Sequence, residues 1–172
     1  RFIRLRIIQQ MFSDEGITPV HENCMNYGGM GWTYTLKIIE NVPGMKLVFD
    51  TGNPVGSNDF TKQPPYPKQS SWDFYAHVRD HVAYVHIKDG KWDPKIKHAV
   101  YTFPGEGVGD VEKIVEDLLK RGYDGGLSIE PHIAVVHHDA SIKSDADVRY
   151  SNYVEYGRRM SKLLDRCRER IR

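Results

Sequence analysis

The chain has 172 residues, of which 40% are hydrophobic and 27% are charged, and its formal net charge is +1. This length suits a single domain with one core, and the near-neutral charge gives no general case for nucleic-acid binding. Two cysteines make no disulfide framework, and no run approaches the roughly 18 apolar residues of a membrane span, so we expect a soluble cytoplasmic protein without a membrane or nucleic-acid partner.

The first half of the chain alternates between predicted helices and strands. Apolar residues at i, i+3 and i+4 spacing predict a helix over 2–12, and a strand over 18–22 follows it. A second helix over 32–41 leads to a second strand over 45–50. A long polar loop then precedes a third helix, which begins near residue 70.

The second half repeats this alternation. A third strand is predicted over 82–88, followed by a second long loop over 89–109. Asp110 suits the N-cap of the next helix, after which come a fourth strand over 126–130 and a last helix over 147–170. Strands that alternate with helices indicate an α/β fold with a parallel sheet and helical crossovers.

The number of strands limits how much of a barrel this chain can form. A complete eight-stranded TIM barrel needs about 250 residues, and only four strands are predicted. We therefore expect residues 1–172 to be the C-terminal part of one (β/α)8 TIM barrel domain, covering its last four strand–helix units. The N-terminal half of the barrel would then be missing. A four-stranded open sheet that folds alone is the alternative.

Each predicted strand ends at a side chain that can bind a metal. These residues are Glu22, Asp50, His86 and Glu130. Because successive strands of a parallel barrel end on the same rim, the four side chains should converge. Three carboxylates and one imidazole favour Mn²⁺, Mg²⁺ or Co²⁺ over the thiolate-rich sites of structural zinc. The sequence therefore predicts one divalent metal ion, with Mn²⁺ as the first choice.

The motifs around these ligands resemble the sugar phosphate isomerase/epimerase family, which belongs to the xylose isomerase-like barrels. The resembling segments are His21-Glu22-Asn23, Val48-Phe49-Asp50-Thr51-Gly52-Asn53, Val85-His86-Ile87-Lys88-Asp89 and Ser128-Ile129-Glu130-Pro131. The loop over 104–110 and the segment over 153–158 are also similar to members of the family. The resemblance covers essentially the whole chain.

This resemblance implies a function and a role for each ligand. Glu22, Asp50, His86 and Glu130 would hold the metal, and Glu22 and Glu130 would also be the acid/base pair. The substrate would be a small polyhydroxy aldehyde or ketone, isomerised or epimerised through a metal-stabilised enediolate. Homo-oligomer formation stays open.

Two departures from the epimerases raise a second function. Asn53 stands where the epimerases usually carry a histidine, and lysines stand near the third strand in place of an arginine. Lys88-Asp89 instead resembles the His-x-Lys-Asp motif of inosose dehydratases. Lys88 could protonate a leaving hydroxyl, which would suit a keto-polyol dehydratase. A catalytically silent half-barrel that only binds or assembles is the alternative from another class.

Further residues are candidates for substrate contact, either because they lie near the proposed ligands in sequence or, for Glu106, because glycines let its loop approach a ligand closely. They are Asn23, Asn53, Glu106 and His132, with His137 and His138 in the same loop as His132. A phosphate-binding reading of Gly105-x-Gly107-x-Gly109 is weak, because no Lys-Ser/Thr pair follows these glycines.

Overall fold

A computed structural model describes residues 1–133 and 146–171. The strands are β1 (Val20–Glu22), β2 (Lys46–Asp50), β3 (Val82–Ile87), β4 (Asp89–Asp93), β5 (His98–Thr102) and β6 (Gly126–Ile129). The helices are α1 (Phe2–Asp14), α2 (Trp32–Asn41), α3 (Asn53–Gly56), α4 (Ser71–Val78), α5 (Val111–Lys120) and α6 (Ala146–Arg170). Two short 3-10 helices, Tyr27–Met30 and Arg79–His81, complete the described elements. None of the described helices is both long enough and apolar enough to cross a membrane.

Four of the strands form one parallel sheet in the order β1-β2-β3-β6, which confirms the predicted parallel α/β fold. The helices α2, α4 and α5 each precede the next strand of this sheet, as crossovers between parallel strands do. Asp50 pairs with His86 across β2 and β3, and His86 pairs with Ser128 across β3 and β6. The strands therefore all end at one rim of the sheet.

The core lies between the sheet and the helices α4, α5 and α6. Helix α5 buries Val111, Ile114, Val115 and Leu118, a spacing that places them on one helical face. Helix α6 buries Tyr156, Met160, Leu163 and Cys167 against the same cluster. Each fully buried aliphatic or aromatic side chain stabilises the fold by about 1.5–3 kcal/mol relative to exposure.

The helix at the other end of the sheet is packed differently. Helix α1 contributes no buried residue, although Phe2 and Leu5 pack against a small cluster formed by Ile38, Val42 and Met45. Strand β1 is an edge strand of the parallel sheet, and so is β6. A closed barrel has no such edges, so the described chain is an open part of one.

Two sequence predictions about the long loops were wrong. The segment predicted as a loop over 89–109 contains the antiparallel hairpin β4–β5. The loop after β2 contains the helical turn α3.

Asp110 does occupy the N-cap position of α5, as predicted. Its carboxylate, however, caps no amide of its own helix and accepts from the Trp72 backbone N–H at 3.3 Å instead.

Candidate metal and proton-transfer site

The four predicted strand-end ligands come together in the structure. One ligand atom each from Glu22, Asp50, His86 and Glu130 lies within 4.8 Å of the other three. Glu22 is the last residue of β1 and Asp50 the last of β2, while His86 is next to last in β3. Glu130 follows β6 directly, where its backbone N–H donates to the carbonyl of Ile87 at 3.0 Å. The parallel topology alone accounts for this convergence.

Asp50 is the most buried member of the cluster, with no exposed surface. Its Oδ1 atom accepts from the backbone N–H groups of Gly52 at 2.8 Å and Asn53 at 2.7 Å, which closes the turn after β2. Its Oδ2 atom forms an ion pair with Lys88 Nζ at 2.9 Å, at an angle outside the range of a hydrogen bond. One oxygen thus supports the turn and the other faces the cluster.

Lys88 places its ammonium group between two of the carboxylates. Its side chain is only 5% exposed, and Nζ lies 2.5 Å from Glu130 Oε2 as well as 2.9 Å from Asp50 Oδ2. Thr51 fixes the Lys88 backbone, because its Oγ1 donates to the Lys88 carbonyl at 2.6 Å and accepts from the Lys88 N–H at 3.0 Å. Gly52 leaves room for the lysine, since a Cβ there would lie 2.6 Å from Lys88 Cγ.

The charges in this group shift one another's protonation equilibria. Burial raises the pKa of Asp50, and the nearby Lys88 ammonium only partly offsets that effect. Burial acts the same way on Glu130, but the close approach of Asp50 and Lys88 outweighs it and lowers the Glu130 pKa. Burial alone would lower the pKa of Lys88, but the two carboxylates raise it. Lys88 therefore stays protonated, and Glu130 is the carboxylate that stays ionised beside it.

His86, Glu22 and Asn53 form the other side of the cluster. His86 Nδ1 lies 3.5 Å from Glu22 Oε1, and that oxygen accepts a hydrogen bond from Asn53 Nδ2 at 3.1 Å. Asn53 is the first residue of α3, so the turn closed by Asp50 also places this amide. The predicted substrate residue Asn53 therefore does lie at the cluster.

The remaining predicted substrate residues lie in different surroundings. Asn23 is 5% exposed and uses both ends of its amide on the Asp50 backbone, donating to its carbonyl at 3.0 Å and accepting from its N–H at 2.7 Å. This geometry favours a positioning role for Asn23.

The other predicted substrate residues are Glu106 and the histidines after β6. Glu106 forms an ion pair with Arg159 of α6. His132 does lie beside the cluster, with Nε2 4.0 Å from Glu130 Oε2. His137 and His138 lie outside the described residues.

The glycine loop is organised by a buried carboxylate. Asp89 accepts from the backbone N–H groups of Gly105 at 2.8 Å, Gly107 at 3.0 Å and Gly109 at 2.9 Å, as well as from its neighbour Gly90. A Cβ at position 107 would lie 2.2 Å from Asp89 Oδ1, so the close approach requires glycine. These amides are already bound to an internal anion, which rules against the phosphate-binding reading of the loop.

Sequence reasoning missed Tyr101 of β5, which lies next to His132 beside the cluster. Its ring meets the His132 ring edge to face, with 4.8 Å between the ring centroids. The only signal in the sequence was an aromatic residue in a segment predicted as a loop.

The chemistry of the cluster fits a divalent cation. Asp50 Oδ2 and His86 Nδ1 are both buried and make no hydrogen bond with the described part of the chain. Opposite ligands of Mg²⁺ lie about 4.2 Å apart, so a separation of up to 4.8 Å needs only a small closure of the side chains. A second group, Glu112, Glu116 and Cys167, is less suitable, because Arg170 already pairs with both of its carboxylates at 3.0 and 2.8 Å.

Comparisons with known proteins agree with this architecture. The model of the family described as xylose isomerase-like TIM barrel matches residues 4–152. An inosose dehydratase from Lacticaseibacillus casei is 23% identical over 134 residues, which cover 70% of this chain and 37% of that enzyme. The chain thus spans well under half the length of this curated relative.

Two solved structures have the same fold. A xylose isomerase-like TIM barrel protein from Mycobacterium smegmatis in complex with magnesium matches with a TM-score of 0.63 at 18% identity, covering 95% of this chain and 50% of that one. An L-ribulose 3-epimerase matches with a TM-score of 0.63 at 17% identity, covering 98% of this chain and 54% of that one. In both cases the match covers about half of the solved chain, consistent with the expected partial barrel.

Proposed function

The chain belongs to the xylose isomerase-like TIM barrel family, and on that basis we propose that its strand-end cluster is the metal and proton-transfer centre of a keto-polyol dehydratase. The observation that carries this proposal is the contact of 2.5 Å between Lys88 Nζ and Glu130 Oε2. It places a proton donor beside a proton acceptor at the edge of the cation cluster. Dehydration next to a carbonyl needs both groups.

The cluster would hold the metal through Glu22, Asp50, His86 and Glu130. A divalent cation held by these residues would polarise the substrate carbonyl and so acidify the neighbouring C–H. Its charge would also keep the carboxylates ionised. Mn²⁺, Mg²⁺ and Co²⁺ all suit a set of three carboxylates and one imidazole.

The two reacting side chains have complementary roles. Glu130, ionised beside Lys88, would accept the proton from the carbon next to the carbonyl. Lys88 would then donate a proton to the hydroxyl on the following carbon, which leaves as water while a C=C bond forms. Because the two groups are in contact, the proton on Glu130 can pass directly to Lys88, which restores both for the next turnover.

Epimerisation or isomerisation, which the sequence motifs had favoured, is the second candidate. Glu22 supports it, because this second carboxylate lies in the same cluster and its Oε1 is oriented by Asn53 at 3.1 Å. Two carboxylates on opposite sides of a substrate carbon could exchange its proton. We rank this reaction second because Glu130, as one of that pair, is bound to Lys88.

Deuterium exchange distinguishes the two reactions. The Mn²⁺-loaded protein is incubated in D₂O with inosose and, separately, with ribulose. A dehydratase gives an unsaturated ketone and its ultraviolet absorbance, whereas an epimerase or isomerase returns a saturated sugar that carries deuterium. We expect the first result, and Lys88→Met should abolish it. Deuterated sugar without dehydration, unchanged in Lys88→Met, would support epimerisation instead.

Metal binding is tested separately, by calorimetric titration with Mn²⁺. Asp50→Asn keeps the Oδ1 acceptor of the turn but removes the charge, and we expect Mn²⁺ affinity to fall by about 100-fold or more. Asp80→Asn, a change at an exposed aspartate outside the cluster, is the matched control.

The silent half-barrel remains the third candidate, because the described sheet has two free edges. Absence of Mn²⁺ binding in the unmodified protein would favour it.

A further inference from the structure

The β4–β5 hairpin is an addition to the parallel sheet and lies over its ligand-bearing rim. It begins at Asp89, directly after Lys88, and pairs Asp89 with Thr102 and Gly90 with Tyr101. The hairpin packs on α3, where a Cβ at Gly56 would lie 3.4 Å from Ala99 Cβ.

Two contacts hold the hairpin in that position. Lys68 Nζ lies 3.5 Å from the centroid of the Trp92 ring in β4, and the same ammonium donates to the Gly56 carbonyl at 2.8 Å. Asp89 fixes the start of the hairpin through its bonds to the glycine amides. The hairpin is therefore tied both to the turn that carries Asn53 and to the glycine loop.

Tyr101 is the hairpin residue that packs against His132, next to the cluster. Its partner across the hairpin is Gly90, where a Cβ would lie 2.7 Å from the Val100 carbonyl oxygen and 3.4 Å from Tyr101 Cδ1. On its other side the Tyr101 ring meets His132, which in turn lies 4.0 Å from Glu130. The tyrosine ring is thus held between the hairpin backbone and an imidazole at the site.

The phenol hydroxyl of Tyr101 has no assigned partner. Within residues 1–133 and 146–171 it makes no hydrogen bond, although a partly buried tyrosine hydroxyl usually has one. Burial raises the pKa of Tyr101, and among the charges that also act on it are those of Lys88, Asp50 and Glu130. The hydroxyl is therefore a neutral donor in the electrostatic field of the cluster.

We propose that Tyr101 is a specificity-determining residue that donates a hydrogen bond to a substrate hydroxyl away from the reacting carbons, with its ring and His132 on one side of the bound substrate. This inference rests on the proposed function, because it takes a polyhydroxy ketone as the ligand. Asn53 lies at the opposite, Glu22 side of the cluster, so a bound polyol would be contacted from two sides. Few, well-placed polar groups on an otherwise apolar wall are typical of small-molecule sites.

The test is calorimetric titration of the Mn²⁺-loaded protein with inosose, comparing Tyr101→Phe with the unmodified chain. Tyr101→Phe keeps the ring and removes only the hydroxyl, so inosose affinity should fall by about tenfold. Mn²⁺ affinity should be unchanged, since the phenol does not contact the four ligands. Tyr150→Phe, on an exposed tyrosine of α6, is the matched control and should leave both affinities unchanged.

Two further readouts separate specificity from structure. In turnover, Tyr101→Phe should raise KM by about the same tenfold and change kcat by less than about threefold. Deoxy analogues of inosose, each lacking one hydroxyl, should include one that the unmodified chain and Tyr101→Phe bind equally well. Equal inosose affinity in Tyr101→Phe and the unmodified chain would overturn the proposal, and so would a parallel loss of Mn²⁺ affinity. Inosose binding without turnover would instead contradict the proposed dehydratase and leave the binding test valid.

Discussion

The rim of the sheet buries charged side chains, whereas the outer face of α1 exposes apolar ones. At the rim, Lys88 is 5% exposed and Asp50 fully buried, and the two are held by an ion pair and by backbone hydrogen bonds. On α1, apolar side chains such as Ile3 and Ile7 are 67% and 55% exposed.

This contrast distinguishes the residues of the proposed site from the residues at the edge of the fold. Buried charge is costly unless it is paired, so the buried Lys88–Asp50 pair at the strand ends supports the proposed site. Exposed apolar side chains in a row along an edge helix indicate a surface that a complete barrel would cover. In the described residues the four strand-end side chains converge, whereas the outer face of α1 is left exposed.

Among the variants of charged residues, the largest effect on stability is expected at the rim, from Lys88→Met. Removing the ammonium leaves two carboxylates without their counter-ion, and we expect a loss of about 3 kcal/mol in unfolding free energy when a chelator is present. Mn²⁺ should restore much of this stability, because it replaces the missing positive charge. Thermal unfolding with EDTA and with Mn²⁺ measures both effects.

The control for this variant is Lys68→Met. Lys68 is also partly buried, but its ammonium contacts a carbonyl, an amide oxygen and the Trp92 ring, and it pairs with no carboxylate of the described residues. The loss of unfolding free energy in Lys68→Met should be the same with EDTA and with Mn²⁺. If Mn²⁺ stabilised Lys88→Met no more than it stabilises the unmodified protein, the lysine and the metal would not share the same carboxylates.

A smaller loss is expected from Asp89→Asn, which lies at the rim but outside the metal cluster. The amide keeps one acceptor oxygen and turns its NH₂ group toward glycine N–H donors, leaving buried amides unpaired. We expect about 2 kcal/mol of destabilisation in urea titration. Asp93→Asn affects only one hydrogen bond, from the Lys95 N–H, so it should lower the unfolding free energy by less than about 0.5 kcal/mol. Equal losses in the two variants would show that the glycine loop does not depend on Asp89.

The sequence was sufficient to predict the cluster because its information is local. Each ligand ends a short apolar run, and parallel topology brings the strand ends together whatever the loops do. The parallel sheet was confirmed, and Glu22, Asp50, His86 and Glu130 converge as expected.

The hairpin and the role of Asp89 could not be predicted in this way. The segments Asp89–Asp93 and His98–Thr102 are short, and neither alternates apolar with polar residues, so the usual periodicity of a strand is missing from both. Asp89 binds glycine amides 16 to 20 residues away, a pairing set by the folded loop and not by any local pattern. Tyr101 lies in this hairpin, which begins at Asp89, so its position beside His132 was missed for the same reason.

The Glu106–Arg159 ion pair allows a prediction about an exposed part of the rim. Glu106 is 51% exposed and binds Arg159, which also binds Glu155. Exposed ion pairs contribute at most about 1 kcal/mol, so Glu106→Gln should change stability no more than Glu155→Gln does. Inosose affinity, measured by calorimetry, should be unchanged in both variants. A loss confined to Glu106→Gln would restore the substrate contact that the sequence had predicted for Glu106.

The smallest effect is expected on α1, and it tests the contrast directly. Ile7→Ser removes an apolar side chain that is 55% exposed, so its cost in unfolding free energy should stay below about 0.5 kcal/mol. Ile38→Ser, the same change at a fully buried position of α2, should cost about 3–5 kcal/mol through the cavity and the unpaired hydroxyl. Urea titration of the two variants gives the comparison. If Ile7→Ser were as costly as Ile38→Ser, the outer face of α1 would have to be covered in solution, and the edge of this fold would be as complete as its site.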